Sequence, residues 1–325
     1  VNYNGGDEVV RDLGALRRCA PEAEYEIVLV DNASPDGSGE AAARAIPSIR
    51  LIGQEQNRGF AAGVNRGLTE AQGEVIVILN PDAVPREGAL DALVEAAATE
   101  PDLGVLGGVI VSPAGNVDAC SARPFPRLND ILWEGCFLPK RRPPAYHRLV
   151  SGGERSPIRV DVISGAAMAL RRDALDRVGP MNEEYFLYDE DIEWCERSHR
   201  VGLGVAVVPT ASFVHRQGSS TRRDETLPFT ARMLADFQFF VEHRGVAAPS
   251  VRWRWIFRQR FRQLFYRIDA VLGPPQRRER ARARTAIYAR LARRVARLRW
   301  STTPHGQNAH PGRLEELSGI GPAVR

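Results

Sequence analysis

Short apolar runs alternate with helical stretches along the first 110 residues, and this pattern limits the folds open to the chain. The runs rich in Val, Ile and Leu are residues 26–30, 49–53, 74–79 and 103–111. Their alternation with helical segments predicts an α/β fold in which a mainly parallel sheet lies between helices. Ligands bind beyond the carboxyl ends of the strands in such sheets. Asp31 and Asp82 each follow a strand, so we expect them to meet at that edge.

The composition narrows the class of protein. The chain has 325 residues, of which 43% are hydrophobic, enough for a core of ordinary size. Its apolar runs are too short to span a bilayer, and its first residues lack the apolar stretch of a signal peptide. Residues 1–4 are predicted to end a strand whose earlier part is missing. The four cysteines lie far apart without a Cys-x-x-Cys pair, which argues against a zinc or disulfide scaffold and favours a cytoplasmic location.

Charge is distributed unevenly along the chain. The net charge of +4 combines −10 over residues 1–249 with +14 over residues 250–300, where 16 arginines accompany only Asp269 and Glu279. Lysine is almost absent, so arginine replaces it throughout, but this does not explain the concentration in one segment. An acidic body is therefore followed by a strongly basic extension.

Three acidic motifs are candidates for chemistry, and each has a structural alternative. Asp31, in Asp31-Asn-Ala-Ser-Pro-Asp-Gly-Ser38, can accept a hydrogen bond from a nucleobase or can cap its own turn. Asn80-Pro-Asp82 can bind a hard cation together with substrate phosphates, or can be an ordinary turn. In Tyr188-Asp-Glu-Asp191, adjacent carboxylates beside apolar residues predict raised pKa values suited to a general base. The alternative there is a solvated acidic cap at a helix start.

Two further segments complete the candidate set. His215 precedes Gly218, Ser219 and Ser220, whose backbone N–H groups can hold a phosphate; the alternative is a structural histidine. Asn57-Arg-Gly-Phe-Ala-Ala-Gly-Val-Asn65 opens a helix with small residues that permit close approach of a ligand or a strand. It is neither a P-loop nor a dinucleotide-binding fingerprint.

Taken in order, these motifs resemble those of the family 2 inverting glycosyltransferases, which have the Rossmann-like GT-A fold. The set also includes Ser164-Gly-Ala-Ala-Met-Ala-Leu-Arg171 and covers roughly residues 1–245. The likeness is greatest to bacterial rhamnosyltransferases that elongate lipid-linked cell-wall or O-antigen glycans. It implies a nucleotide-sugar donor such as dTDP-rhamnose, a polyprenyl-diphosphate-linked glycan acceptor and a divalent metal ion, Mg²⁺ or Mn²⁺.

The resemblance also implies a role for each site residue. Asp191 is the base that deprotonates the acceptor hydroxyl, with Glu190 as its catalytic neighbour, and Asp82 and His215 hold the metal ion on the diphosphate. Asp31 contacts the nucleobase. The residues expected to bind substrate are Asn4, Asp31, Asn57, Gly59, Asn65, Asn80 and Gly165. Asn80 stands in place of the first aspartate of the family's Asp-x-Asp motif, a variant common among rhamnosyltransferase-like members.

The family resemblance and the charge pattern together predict that the chain divides into four segments. Residues 1–111 form the nucleotide-sugar-binding half and residues 112–248 the acceptor-binding and catalytic half of one GT-A domain. Residues 249–300 form a basic amphipathic helical extension, and residues 301–325 a flexible end.

The basic extension predicts a membrane partner. Apolar side chains at helical spacing are Trp253, Phe257, Phe261, Leu264, Phe265, Ile268 and Leu272, flanked by Arg258, Arg260, Arg262 and Arg267. An aromatic face bordered by arginines favours peripheral binding of residues 251–299 to the anionic inner face of the plasma membrane. The alternatives are packing of this face against the catalytic domain, and binding to nucleic acid. The acidic body argues against a nucleic-acid partner.

Two other functions are compatible with a nucleotide-binding sheet. A sugar nucleotidyltransferase would need a glycine-rich basic loop near the N-terminus, which residues 1–6 do not provide. A non-catalytic module that binds a nucleotide sugar or a membrane is the third possibility.

Overall fold

Residues 1–137, 142–216 and 227–297 are described by the structure, which is a computed structural model. The chain divides into two units, one formed by Val1–Phe125 with Arg142–Arg223 and the other by Pro126–Arg141 with Asp224–Arg325. The predicted flexible end at 301–325 and the predicted phosphate-binding positions 218–220 lie outside the described residues. The four-segment division drawn from the sequence stays a prediction.

The first unit contains the predicted alternation of strands and helices. Its helices are α1 (Gly6–Arg18), α2 (Ser38–Ala45), α3 (Phe60–Leu68), α4 (Ala89–Thr99), α6 (Pro144–Ser151), α7 (Arg172–Val178) and α8 (Glu190–Arg200). Its strands are β1 (Ile27–Asp31), β2 (Ile49–Gly53), β3 (Val75–Leu79), β4 (Ala83–Pro85), β5 (Leu103–Val111), β6 (Ile158–Arg159), β7 (Ala167–Arg171) and β8 (Gly204–His215). The short helix α5 (Asp130–Gly135) belongs to the second unit.

The described strands form a mixed arrangement, which corrects the expectation of a mainly parallel sheet. Strands β1 and β2 pair in parallel, and a six-stranded sheet has the order β3-β7-β5-β8-β4, with β6 also on β8. Within that larger sheet only β5 and β8 are parallel. The reason is the connection before β7. A parallel neighbour requires a crossover, whereas the irregular segment after β5 brings β7 back antiparallel to both β3 and β5.

The sheet is buried by helices of the same unit. In α4, the apolar face predicted from residues 87–99 is inaccessible at Leu93 and nearly so at Ala97. Strand β5 is buried along its whole length, as a strand covered on both faces requires. A smaller core joins α1 and α2 to β1 and β2 through Val9, Leu13 and Leu29.

The second unit is helical in its described residues. It contains α5, α9 (Leu227–Phe237), a π-helical turn (Gln238–His243), α10 (Ala248–Leu272) and α11 (Pro275–Arg297). The last two are the predicted basic helices, and α10 packs on α11 through the stacked rings of Tyr266 and Tyr288, 5.5 Å apart. No helix within residues 1–137, 142–216 and 227–297 is long and apolar enough to cross a membrane.

Candidate active site

Asp31 is the last residue of β1, and its buried side chain is hydrogen-bonded within the protein. Its carboxylate accepts hydrogen bonds from Asn2 Nδ2 at 2.7 Å, from the Ser34 backbone N–H at 2.9 Å and from the Ser34 hydroxyl at 2.7 Å. The Ser34 hydroxyl also accepts the backbone N–H of Asn4 at 3.0 Å. Asp31 therefore caps its turn, and this turn ties Asn4 to it. The expected contact of Asp31 with a nucleobase stays a prediction.

Asn57 and Gly59 connect the end of β1 to the start of α3. Asn57 Oδ1 accepts hydrogen bonds from Asn32 Nδ2 at 2.8 Å and from the Gly59 backbone N–H at 3.0 Å. Gly59 has φ of +93°, and a Cβ atom there would lie 2.4 Å from the Phe186 carbonyl oxygen. Only glycine meets both conditions. The next residue, Phe60, donates its backbone N–H to the same carbonyl at 2.9 Å, so the start of α3 is fixed against the segment before α8.

Asn65 binds that segment from the middle of α3. Its amide donates to the Met181 carbonyl at 2.8 Å and to Glu183 at 3.0 Å, and it accepts the Met181 backbone N–H at 2.8 Å. The side-chain amide of Asn65 is therefore already hydrogen-bonded to other residues of the protein. Its expected part in lining the donor site stays a prediction.

Asp82 and His215, separated by 133 residues, meet because β4 pairs with β8. The register sets Ala83 opposite His215, and the buried Asp82 Oδ1 lies 3.0 Å from His215 Nε2. His215 Nδ1 is also buried and has no hydrogen-bond partner among the described residues. Asn80 begins the same turn, since its carbonyl accepts the Ala83 backbone N–H at 3.0 Å.

Asp82 and His215 could bind a divalent ion whose remaining ligands come from the substrate. The carboxylate of Asp82 is the kind of ligand that Mg²⁺ and Mn²⁺ prefer. The imidazole of His215, with an unused buried nitrogen, is a ligand suited to a transition-metal ion such as Mn²⁺. No cluster of three or more His, Cys, Asp or Glu suited to a metal occurs in the described part of the chain. The remaining coordination positions would fall to phosphate oxygens and water, which is usual for such ions.

An ion pair that the sequence reasoning missed fixes the residue after His215. Arg216 Nη1 donates to both carboxylate oxygens of Asp12, at 2.8 and 3.0 Å, and its backbone N–H donates to the Asp82 carbonyl at 3.4 Å. Asp12 is buried on the inner face of α1 between Val9 and Leu13. A charge on an apolar helical face was the signal in the sequence, because a buried charge requires a partner.

The acidic run at the start of α8 is buried, so the alternative of a solvated cap was wrong. Asp189, Glu190 and Asp191 are each less than 10% exposed. Tyr188 and Asp189 both have positive φ, 73° and 65°, which is unusual for residues other than glycine. Burial foremost, and then the charge of Asp191, raise the pKa of the Glu190 carboxyl well above its usual range.

Asp191 is held by two donors from other parts of the chain. Its Oδ2 accepts Arg123 Nη2 at 2.6 Å and the Gly165 backbone N–H at 3.0 Å. Arg123 also donates to the Ile163 carbonyl at 2.9 Å. Gly165 was expected to bind substrate, and that role stays a prediction; its bond to Asp191 was not foreseen. Arg123 was missed, because nothing in the sequence distinguishes it from the other arginines.

Two adjacent residues of one loop contact both Asp191 and the turn that contains Asp82. Gly165 binds Asp191, and the carbonyl of the next residue, Ala166, accepts the backbone N–H of Asn80 at 3.0 Å. The predicted base and the predicted metal turn are thus anchored on neighbouring peptide groups. A carboxylate that can accept a proton and a carboxylate–imidazole pair that can hold a cation suit the transfer of a group from a diphosphate.

Similarity to known proteins identifies the family of this chain. The family Glycosyl transferase family 2 matches residues 1–179. The chain belongs to this family. It is therefore a glycosyltransferase, and the nucleotidyltransferase and the non-catalytic module are set aside.

Among curated relatives, an N-acetylglucosaminyl-diphospho-decaprenol L-rhamnosyltransferase of Mycobacterium tuberculosis is 32% identical over 270 residues, covering 78% of this chain and 86% of the relative. An undecaprenyl-phosphate mannosyltransferase of Micrococcus luteus is 28% identical, covering 66% of this chain and 82% of the relative. The family and the likeness to bacterial rhamnosyltransferases predicted from the motifs are confirmed.

Solved glycosyltransferases share the fold. The mannosyltransferase PcManGT of Pyrobaculum calidifontis, in complex with GDP-Man and Mn²⁺, superposes with a TM-score of 0.51 at 17% identity, covering 89% of this chain and 82% of that one. GalNAc-T7 with UDP, GalNAc and Mn²⁺ gives a TM-score of 0.53 at 14% identity, covering 87% and 52%. The enzyme therefore has the predicted GT-A fold.

Proposed function

We propose that this enzyme transfers a sugar, rhamnose from dTDP-rhamnose, to a lipid-linked glycan acceptor, with inversion at the anomeric carbon. The observation that carries the proposal is the Asp191 carboxylate, held on one oxygen by Arg123 and Gly165 beside the Asn80–Asp82 turn. Support for the donor and the acceptor comes from the relative named as an L-rhamnosyltransferase acting on N-acetylglucosaminyl-diphospho-decaprenol, over most of the chain.

The proposed reaction is a single displacement. The acceptor hydroxyl oxygen attacks the anomeric carbon while the bond from that carbon to the diphosphate oxygen breaks, and the hydroxyl proton passes to Asp191. The nucleoside diphosphate leaves with the electron pair of the broken bond. Because no covalent intermediate on the enzyme is required, Asp191 acts as base and not as nucleophile.

Each chain residue has a defined part in this proposal. Asp82 and His215 would hold a divalent ion, which supplies charge stabilisation for the departing diphosphate. Arg123 and Gly165 fix the orientation of Asp191 by occupying Oδ2, which leaves Oδ1 to the acceptor. The Asp31 turn with Asn4, and the Asn57–Gly59 turn, would line the nucleotide site, and Glu190 would lie beside the base as a neutral carboxyl.

The names of the relatives support a lipid-linked acceptor, since two of them name decaprenol- or undecaprenyl-linked substrates. Such an acceptor would bring this enzyme to a membrane surface, which we propose to be the cytoplasmic face. Residues 251–299 would supply the peripheral attachment.

A donor screen tests the proposal. The enzyme is incubated with a panel of nucleotide sugars, a polyprenyl-diphosphate-linked glucosamine glycan and Mg²⁺ or Mn²⁺, and acceptor-dependent release of nucleoside diphosphate is measured. We expect dTDP-rhamnose to be preferred and chelation of the metal to abolish release. Asp82→Ala should lower the rate at least about 10²-fold, through loss of charge stabilisation, whereas the exposed Asp173→Ala should not. A parent-like rate for Asp82→Ala would contradict the proposed metal site. Preference for another nucleotide sugar would contradict the proposed donor.

A further inference from the structure

Helix α10 presents an exposed apolar edge although its opposite face is already packed. Trp253, Phe257, Leu264 and Ile268 are between 41% and 56% exposed. At 100° per residue these four positions lie within an arc of about 60° on the helix surface. The opposite face is satisfied within the same unit, since the buried Trp255 donates its indole N–H to Asp236 at 3.1 Å. The exposed edge is therefore not needed for the packing of α10.

Helix α5 extends this edge with aromatic side chains from a distant part of the sequence. Trp133 is 50% exposed, and Phe137, which follows α5, is 45% exposed with its ring 4.8 Å from that of Phe265 on α10. The two helices are joined by Arg258, which donates to Glu134 at 3.1 Å. We name the side chains of Trp133, Phe137, Trp253, Phe257, Leu264 and Ile268 the aromatic surface.

Arginines border the aromatic surface. Arg260 and Arg267 are exposed and lie on one flank of the α10 edge, about 20–40° beyond Trp253. Arg258, expected from the sequence to flank the edge, is instead buried, with its guanidinium 4.5 Å above the Trp255 ring. Helix α11 adds exposed arginines, and Asp269 and Glu279 are the acidic residues of α10 and α11. Two exposed arginines therefore lie beside the apolar edge, and α11 makes the unit as a whole more positive.

We propose that the aromatic surface inserts into the interfacial region of an anionic bilayer. Half-exposed Trp and Phe side chains are suited to the boundary between headgroups and acyl chains, and the flanking arginines are suited to lipid phosphates. A symmetric contact with a second copy would bring like-charged arginine flanks together, so charge complementarity favours the lipid. The inference deepens the proposed function, on whose lipid-linked acceptor it rests, and it assigns to α5 a membrane role that the sequence did not indicate.

Co-sedimentation with vesicles tests the assignment on the full chain. The probes are vesicles of phosphatidylcholine alone and of phosphatidylcholine with phosphatidylglycerol. We expect Trp253→Ser with Phe257→Ser to weaken partition into anionic vesicles at least about tenfold, because two aromatic rings no longer leave water on binding. Trp133→Ser should weaken it by a smaller factor. The matched control is Tyr25→Ser, another half-exposed aromatic residue, which lies in the first unit and should have no effect.

Separate experiments test the two flanking arginines and the alternative that a second copy of the chain covers the aromatic surface. Arg260→Gln with Arg267→Gln should lower binding to anionic vesicles several-fold and leave the weak binding to neutral vesicles unchanged. Undiminished binding of the Trp253/Phe257 double variant would overturn the proposal. So would a dimer in analytical ultracentrifugation that this variant converts to monomer. Asp191→Asn should bind vesicles as the parent enzyme does, so a failure of the proposed reaction is distinguishable from a failure of membrane binding. Thermal melting verifies that each variant is folded.

Discussion

Glu190 and Asp191 are neighbours in the chain but have different surroundings. Asp191 is paired with a guanidinium and a backbone N–H on one oxygen. Glu190 is buried, and its Oε2 has no hydrogen-bond partner among the described residues. Burial, and then the charge of Asp191, raise the pKa of the Glu190 carboxyl and favour its neutral form. A neutral Glu190 spares the carboxylate proposed as the base a second charge directly beside it.

The raised pKa of Glu190 predicts a pH-dependent effect on stability. The unfolded chain ionises Glu190 above about pH 4.3, while the folded chain keeps it protonated until its raised pKa is reached. Its contribution is therefore fully present below the unfolded pKa and is lost as pH rises through the folded pKa. Glu190→Gln should be more stable than the parent at pH 7.5, with a difference that shrinks towards pH 4. Melting temperatures across this range measure it; a difference independent of pH would contradict the assignment.

Arg123 should affect the rate of transfer and not substrate binding. Arg123→Ala frees the Asp191 side chain, so we expect kcat to fall about 10²-fold with KM within about a factor of two. Arg123→Lys keeps the charge and should recover part of the rate. A parent-like kcat for Arg123→Ala would mean that Arg123 does not position Asp191.

These residues differ in how far the sequence could indicate them. Asp31, Asp82 and Asp191 follow strands or open a helix, so their position in the local pattern predicted an active-site location. Arg123 acts through a loop whose course depends on tertiary packing, and the sequence carries no periodicity that distinguishes it. The pairing of His215 with Asp82 was implied by the family resemblance alone. It does not follow from the local pattern, because it depends on the β4–β8 register and β4 has only three residues.

The boundaries of four strands of the first unit followed from their apolar runs. Strands β2 and β5 begin and end where the runs do, and β1 and β3 differ from them by one residue. The direction of β7 did not follow, because it is determined by the path of an irregular segment and not by the strand's own residues. Helix α9 was also missed, since the chain between β8 and α10 was left without an assignment.

The contact between α3 and the segment before α8 predicts a specific cost at Gly59. Gly59→Ala must accommodate both positive φ and a Cβ atom 2.4 Å from the Phe186 carbonyl oxygen, so we expect a loss of about 2–4 kcal/mol in the free energy of unfolding. Gly202→Ala is the matched control: φ is +77° but no atom lies within 4 Å of the added Cβ, and the loss should be about 1 kcal/mol. Equal losses in denaturant unfolding would show that the contact has no energetic weight.

At the scale of the molecule, negative and positive charge are divided between the unit that would carry out the chemistry and the unit that would bind the membrane. The first unit carries the buried carboxylates that the proposed chemistry uses, and the arginine-rich helices belong to the second. The uneven charge was visible in the sequence, which also predicted the amphipathic edge of α10. The contribution of α5 was not visible, because more than 100 residues separate it from α10. A net charge of +4 therefore describes neither part of the enzyme.

The rate of sugar transfer by Asp191→Asn tests the central claim most directly. The substitution preserves size and removes the ability to accept the acceptor proton. With the preferred donor and a lipid-linked acceptor at saturation, kcat should fall about 10²- to 10⁴-fold, while the exposed control Asp173→Asn should retain the parent rate. A parent-like kcat for Asp191→Asn would contradict the assignment of this carboxylate as the base.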